Sequence, residues 1–345
     1  TGLRETCPDP NIECQRYTNG ARAYFLKGTN VLHRTDGPAL VTKTINLWAQ
    51  NGLLNHPAGL PALTFNDQSG SYAYYTNSLL HAENGPALRI DGKSEFYMLG
   101  KKIEEDDFWR IKDEKLKLVK TDYGYAWVNN DGVAHRIHGP AIESGTSKLW
   151  ARHGFFHRED GPAIEGELIS GNYIENCGVD LPGTDAAGKY ALYGFLFNKE
   201  TFDAIHAEKL DIELEKDTRN LKFSKYGQTH RVGGPAVYSS NHIEWHHNGR
   251  LHKADGPAKE NMLTGKKEYF LHGYEFTESE YLVIQNSLDW SYSISSDELI
   301  FTDKATSNIH CPFGPAVRSK RYKAWYFDGE LHRANGPAEM HTDYS

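Results

Sequence analysis

Methionine is scarce in this chain, with three residues in 345, and cysteine is nearly as rare, with four. None of the cysteines (Cys7, Cys14, Cys177, Cys311) forms a CxxC pair, and no disulfide framework is visible. Cys7 and Cys14 flank the loop CPDPNIEC and either bridge or stay as thiols. No apolar run approaches the ~20 residues that span a bilayer, and no signal peptide opens the sequence, so a cytosolic site of synthesis is expected. The formal net charge of −8 is spread along the chain. With no long basic patch, a nucleic-acid groove is excluded. GxSxG, HExxH and Walker-type motifs are all missing. We therefore expect no cofactor, no metal, no membrane partner and no nucleic acid.

Tyrosine (20), phenylalanine (15) and glycine (32) are abundant, a composition of strands and turns. One stretch, FHREDGPA at 156–163, looks like a catalytic loop. It is not unique. The chain also contains LHRTDGPA (32–39), LHAENGPA (80–87), AHRIHGPA (134–141), THRVGGPA (229–236), LHKADGPA (251–258), IHCPFGPA (309–316) and LHRANGPA (331–338), and a degraded copy, NHPAGLPA, lies at 55–62. Length alone allows two domains of about 150 residues, but a repeat on this scale overrides that prior.

Neighbouring copies are spaced regularly: Pro140 to Pro162, Pro235 to Pro257 and Pro315 to Pro337 are each 22 residues apart. Between them the pattern predicts a strand after Pro-Ala, a polar turn, and a second strand ending in an aromatic before an x-Gly turn, as in SKLWARHG (147–154). The unit is one β-hairpin plus a connector. In that connector the predicted structural residues are His33, Asp36, Gly37 and Pro38; His81, Gly85 and Pro86; His135, Gly139 and Pro140; and His157, Arg158, Asp160, Gly161 and Pro162. The later copies supply His230, Gly234 and Pro235; His252, Asp255, Gly256 and Pro257; His310, Gly314 and Pro315; and His332, Gly336 and Pro337. The Asp-Gly and Asn-Gly pairs at 36–37, 84–85, 160–161, 255–256 and 335–336 predict positive φ at the glycine. Loss of the Asp at His138, Gly233 and Phe313, and of the Arg at Ala82, Pro57 and Cys311, fits a turn better than a catalytic group.

A longer period overlays the first. GKKIEEDDFWRIKDEKL (100–116), GFLFNKETFDAIHAEKL (194–210) and GYEFTESEYLVIQNSL (273–288) each carry an aromatic eight residues after the glycine: Phe108, Phe202 and Tyr281. Phe108, Ile111 and Leu116, like Phe202, Ile205 and Leu210, predict one apolar helix face. Thr277 with Glu280 predicts a capping box. Four blocks follow: 1–100 without a helix, 101–194 with a helix at 104–116 and a loop insertion at 177–188, 195–273 with a helix at 198–214, and 274–345 with a helix at 277–288. The predicted fold is mostly β with a few short helices, an elongated array of stacked ~22-residue hairpins. The sequence stops after one strand of its last unit, which leaves an open edge as an expected route to assembly or homo-oligomer formation.

Candidate binding residues are Asp180, Leu181, Pro182 and Asp185 in the insertion, and His246 and His247 in EWHHNG. His242 and His246 would share a strand face, with His247 opposite. The acidic run EEDD (104–107) opens a helix, where negative charge is favourable. Trp48, Trp127, Trp150, Trp245 and Trp325 occupy equivalent positions and are expected mostly in the core, some as an outward platform.

The repeated FHREDGPA-type motif, the W-x-x-N-G strand ends and the G-x-x-x-T-E-x-E-[FY] helix together resemble a repeat family of tailed phages and giant viruses. The spacing is similar to that of MORN repeats, although the Y-x-G-x-x-x-x-G core is missing. The resemblance implies a viral setting, in a virion or the host cytoplasm. It brings no reaction and no functional residues. The expected function is a non-enzymatic protein-binding scaffold acting as a virion component. The alternatives are an inhibitor of a host defence protein, and a carbohydrate-binding or hydrolytic protein using a histidine cluster.

Overall fold

The structure, a computed structural model, describes residues 3–5, 7, 9–167, 189–215, 218–286, 289–295 and 297–341. The insertion residues Asp180, Leu181, Pro182 and Asp185, and also Cys177, lie outside them. The chain divides into two compact units, Thr1–Thr184 and Asp185–Ser345.

Both units are mostly β. Among the described residues the first unit holds a 10-stranded and a 5-stranded sheet, the second an 8-stranded and a 5-stranded sheet. All pairings are antiparallel, as expected of strands joined by tight turns. One unit shows the pattern. Ile142–Ser144 pairs with Ser147–Leu149, which pairs with Ile164–Glu165 of the next unit. Between these last two the chain leaves the sheet as a two-stranded ribbon, Ala151–Arg152 against Phe155–Phe156. The repeat is thus two hairpins, one in the sheet and one in a ribbon, rather than one hairpin and a connector. The aromatic residue, here Trp150, stands at the junction. Its N–H bonds the Ala163 carbonyl, and its carbonyl accepts from the His157 N–H.

Three helices occur among the described residues: α1 (Glu105–Asp113), α2 (Lys199–Ala207) and α3 (Glu278–Asn286). Each buries an aromatic and the isoleucine three residues on: Phe108 and Ile111, Phe202 and Ile205, Tyr281 and Ile284. Residues three apart lie on one helix face. Each pair closes a core with the next repeat ring in sequence, Trp127 for α1, Phe223 for α2 and Phe301 for α3. Burying a phenylalanine side chain contributes roughly 1.5–3 kcal/mol.

α1 and α2 are shorter than the predicted 104–116 and 198–214. Lys115 and Lys209 adopt left-handed φ of 55° and 51°, which ends each helix without a glycine. Leu116 packs in the core beyond α1, and 211–214 are strand. α3 begins one residue after the predicted 277, because Thr277 is its cap. The Thr277 N–H donates to Glu280 Oε2 at 2.9 Å, and the Glu280 N–H reaches Thr277 Oγ1 at 3.3 Å. Asn198 caps α2 through the Thr201 N–H. Cys7, Cys14 and Cys311 are free thiols. Among the described residues no helix is long and apolar enough to cross a membrane.

Candidate functional site

The motif builds a joint between successive hairpins. In six copies the histidine Nδ1 accepts a backbone N–H from the ribbon turn that follows. The pairs are His33–Asn51, His81–Leu99, His135–His153, His230–Asn248, His252–His272 and His310–Asp328, at 2.9–3.2 Å. The glycine after each donor gives its N–H to the carbonyl of the residue before the histidine, as Gly154 does to Ala134 at 2.9 Å. Each donor residue has φ near 50° and its glycine φ near 80°, as in Asn51–Gly52 (50° and 81°). This is a type I′ turn. Its two outward N–H groups, otherwise left to solvent, are held by the preceding unit.

Because Nδ1 accepts, the neutral ring carries its proton on Nε2. Burial depresses His81, His135, His230 and His252 among them: His135 and His252 fall to about 4, with the neighbouring His153 and His272 adding to the effect. His157 is also pushed to about 4, by burial and then Arg152.

The arginine builds the other half. Arg34, Arg136, Arg158, Arg231 and Arg333 lie over Tyr24, Trp127, Trp150, Phe223 and Trp325, with the guanidinium carbon 3.8–5.2 Å from the ring centroid. In each, Nη1 donates to the carbonyl of the motif proline at 3.1–3.5 Å. Lys253 takes the same place over Trp245. A Cβ on the motif glycine would collide with this cation, lying 2.6 Å from Arg34 at Gly37 and 2.8 Å from Arg231 at Gly234. That explains the glycine. The positive φ predicted at Gly37, Gly85, Gly161 and Gly256 is not present, and of the five predicted glycines only Gly336 is left-handed, at 113°. The alanine is small for a similar reason: Ala39, Ala141, Ala163, Ala236, Ala258 and Ala316 are fully buried where strands close over them.

Where the motif acid is present, it holds the arginine Nε, as Asp36 does for Arg34 and Asp160 for Arg158. His138 and Gly233 cannot do this, and Arg136 and Arg231 turn to acids of α1 and of the residue after α2, Asp107 and Glu208. The EEDD run therefore supplies a structural ion pair. The five tryptophans at equivalent positions correct the expectation of a core stripe: of these only Trp127 is fully buried, and Trp48, Trp150, Trp245 and Trp325 are half-buried beneath a cation or a histidine.

His242 and His246 both reach Glu244, at 3.3 and 2.9 Å, and Lys259 joins it at 2.7 Å. The His246 bond is the main reason that the Glu244 carboxyl is held down at about 2. His247 lies apart, among the rings of His230, His252 and His272 at 4.9–6.1 Å. These imidazoles meet as rings. Among the described residues no three His, Cys, Asp or Glu side chains converge on a metal position. His138 is exposed and does not pair with His135, which packs on His153.

A further feature was not singled out from sequence. At LHAENGPA a cavity of about 550 Å³ opens beside Tyr74, Glu83, Asn84, Gly85 and Pro86. The signal available was the alanine in place of arginine in an otherwise intact motif.

Comparison with protein-family models, with curated proteins and with solved structures finds no match.

Proposed function

We propose that the chain is a non-enzymatic, protein-binding repeat scaffold of phage or viral origin, acting as a structural or assembly component of a virion. In this reading the hairpins form an array in which each unit contacts its neighbours. The observation that carries it is the joint. The histidines, arginines and acids that make the motif look catalytic are engaged, copy after copy, in holding one hairpin to the next. Exposed apolar side chains such as Tyr226, Val232, Leu263 and Phe327 supply contact area for a partner. The viral setting rests on the resemblance of the repeated motif.

The test is affinity capture with the tagged chain from virus-infected cells, identified by mass spectrometry. Capsid or tail proteins in fixed stoichiometry support the virion role. A single host protein replaces it with an inhibitor of a host factor. A measurable activity that dies in a folded variant lacking His246 and His247 would overturn the scaffold reading.

A further inference from the structure

The arginine socket has the same parts in every copy that an arginine fills: an aromatic face, a proline carbonyl that accepts from Nη1, and a glycine whose bare Cα makes room. Five copies hold arginine there and one holds Lys253. Three copies lack the cation. In two of these another side chain covers the ring. His56 lies 4.0 Å from Trp48, and Phe313 meets Phe301 edge-on at 6.0 Å with Arg318 beside Gly314.

The third is LHAENGPA. Ala82 replaces the arginine, while Tyr74, Gly85 and Pro86 are retained. Among the described residues no cation lies over the Tyr74 ring, no side chain donates to the Pro86 carbonyl, and nothing comes within 4 Å of a Cβ built on Gly85. The cavity of about 550 Å³ occupies this place, with the exposed Glu83 on its rim. The Tyr74 ring meets Tyr72 in a T-shaped contact, with 5.4 Å between the centroids.

We propose that this open socket binds the guanidinium of an arginine side chain presented by a partner protein. The ligand class follows from the occupied copies, which show what these parts hold. A guanidinium stacks flat on a ring and keeps its N–H groups free for the carbonyl in the same plane, which an ammonium does less well. Glu83 adds a carboxylate, and the net charge of −8 favours a basic partner. The proposal rests on the protein-binding reading for the arginine to belong to a protein.

The test is saturation-transfer NMR on N-acetyl-arginine methylamide, with the full chain and with two variants. Citrulline, the neutral isostere, is the control. One stacked and hydrogen-bonded guanidinium gives a roughly millimolar Kd. Ala82→Arg supplies the missing group from the chain itself. Gly85→Ala adds a Cβ into space that the fold leaves open but that a bound guanidinium needs, since in the arginine-filled copies the equivalent Cβ comes within 2.6–3.3 Å of the guanidinium. The expected result is saturable transfer to arginine and not to citrulline, lost in both variants. Equal transfer to citrulline, or binding that survives both substitutions, would overturn the socket. Should partner capture persist undiminished in Gly85→Ala, the partner's arginine is not seated there, and the scaffold reading stands without it.

Discussion

The backbone N–H of His153 donates to Nδ1 of His135, eighteen residues earlier, at 3.0 Å. A ring that accepts at Nδ1 and is buried as His135 is cannot take a second proton without losing the bond. Its value near 4 lies below the 6.5 of an exposed imidazole. Protons therefore bind the unfolded chain first. The contribution of such a histidine is complete above pH 6.5 and is lost as pH falls toward 4, with His252 and His157 acting in the same window. Urea midpoints measured from pH 7.5 to 4.5 should fall steadily below 6.5. A flat profile across that range would sink the claim.

The glycine of the motif should be intolerant only where a cation fills the socket. Gly234→Ala pushes a methyl against the buried Arg231 and should cost about 1–3 kcal/mol. Gly85→Ala has open space and should stay within about 0.5 kcal/mol. Paired denaturation curves compare the two directly.

Thr277→Ala removes the hydroxyl that accepts the Glu280 N–H at the start of α3. A loss of about 0.5–2 kcal/mol is expected, the usual worth of an N-cap. Thr277→Ser should restore most of it.

His246→Ala takes away the strongest of the bonds that hold Glu244 near 2. The Glu244 carboxyl should then titrate higher, with Lys259 still holding it below the ordinary range. Carbon-detected NMR titration of the side-chain carboxyl reads this without any activity assay. An unmoved Glu244 would show that His246 is not its partner in solution.

Local signals made part of this fold legible. Aromatic and isoleucine positions three apart marked the buried faces of α1 and α2, the glycine-to-aromatic spacing marked Tyr281 in α3, and Thr277 with Glu280 marked a cap, because all depend on short-range geometry. The ends of α1 and α2 were not legible, since Lys115 and Lys209 take a conformation that glycine usually signals. The role of Gly37 and Gly161 was misread for the same reason. Glycine marks either unusual φ or close approach, and the sequence does not say which. The socket at Tyr74 could be seen only once its filled counterparts showed what Ala82 had given up.

The joint also has a direction. Acceptors always come from the earlier hairpin, a carbonyl and an imidazole nitrogen, and both donors from the later one. Two such surfaces of the same kind have nothing to offer each other across a two-fold axis. Copies of this chain joined through the same geometry would stand head to tail, the heterologous arrangement that closes into rings or runs on as filaments.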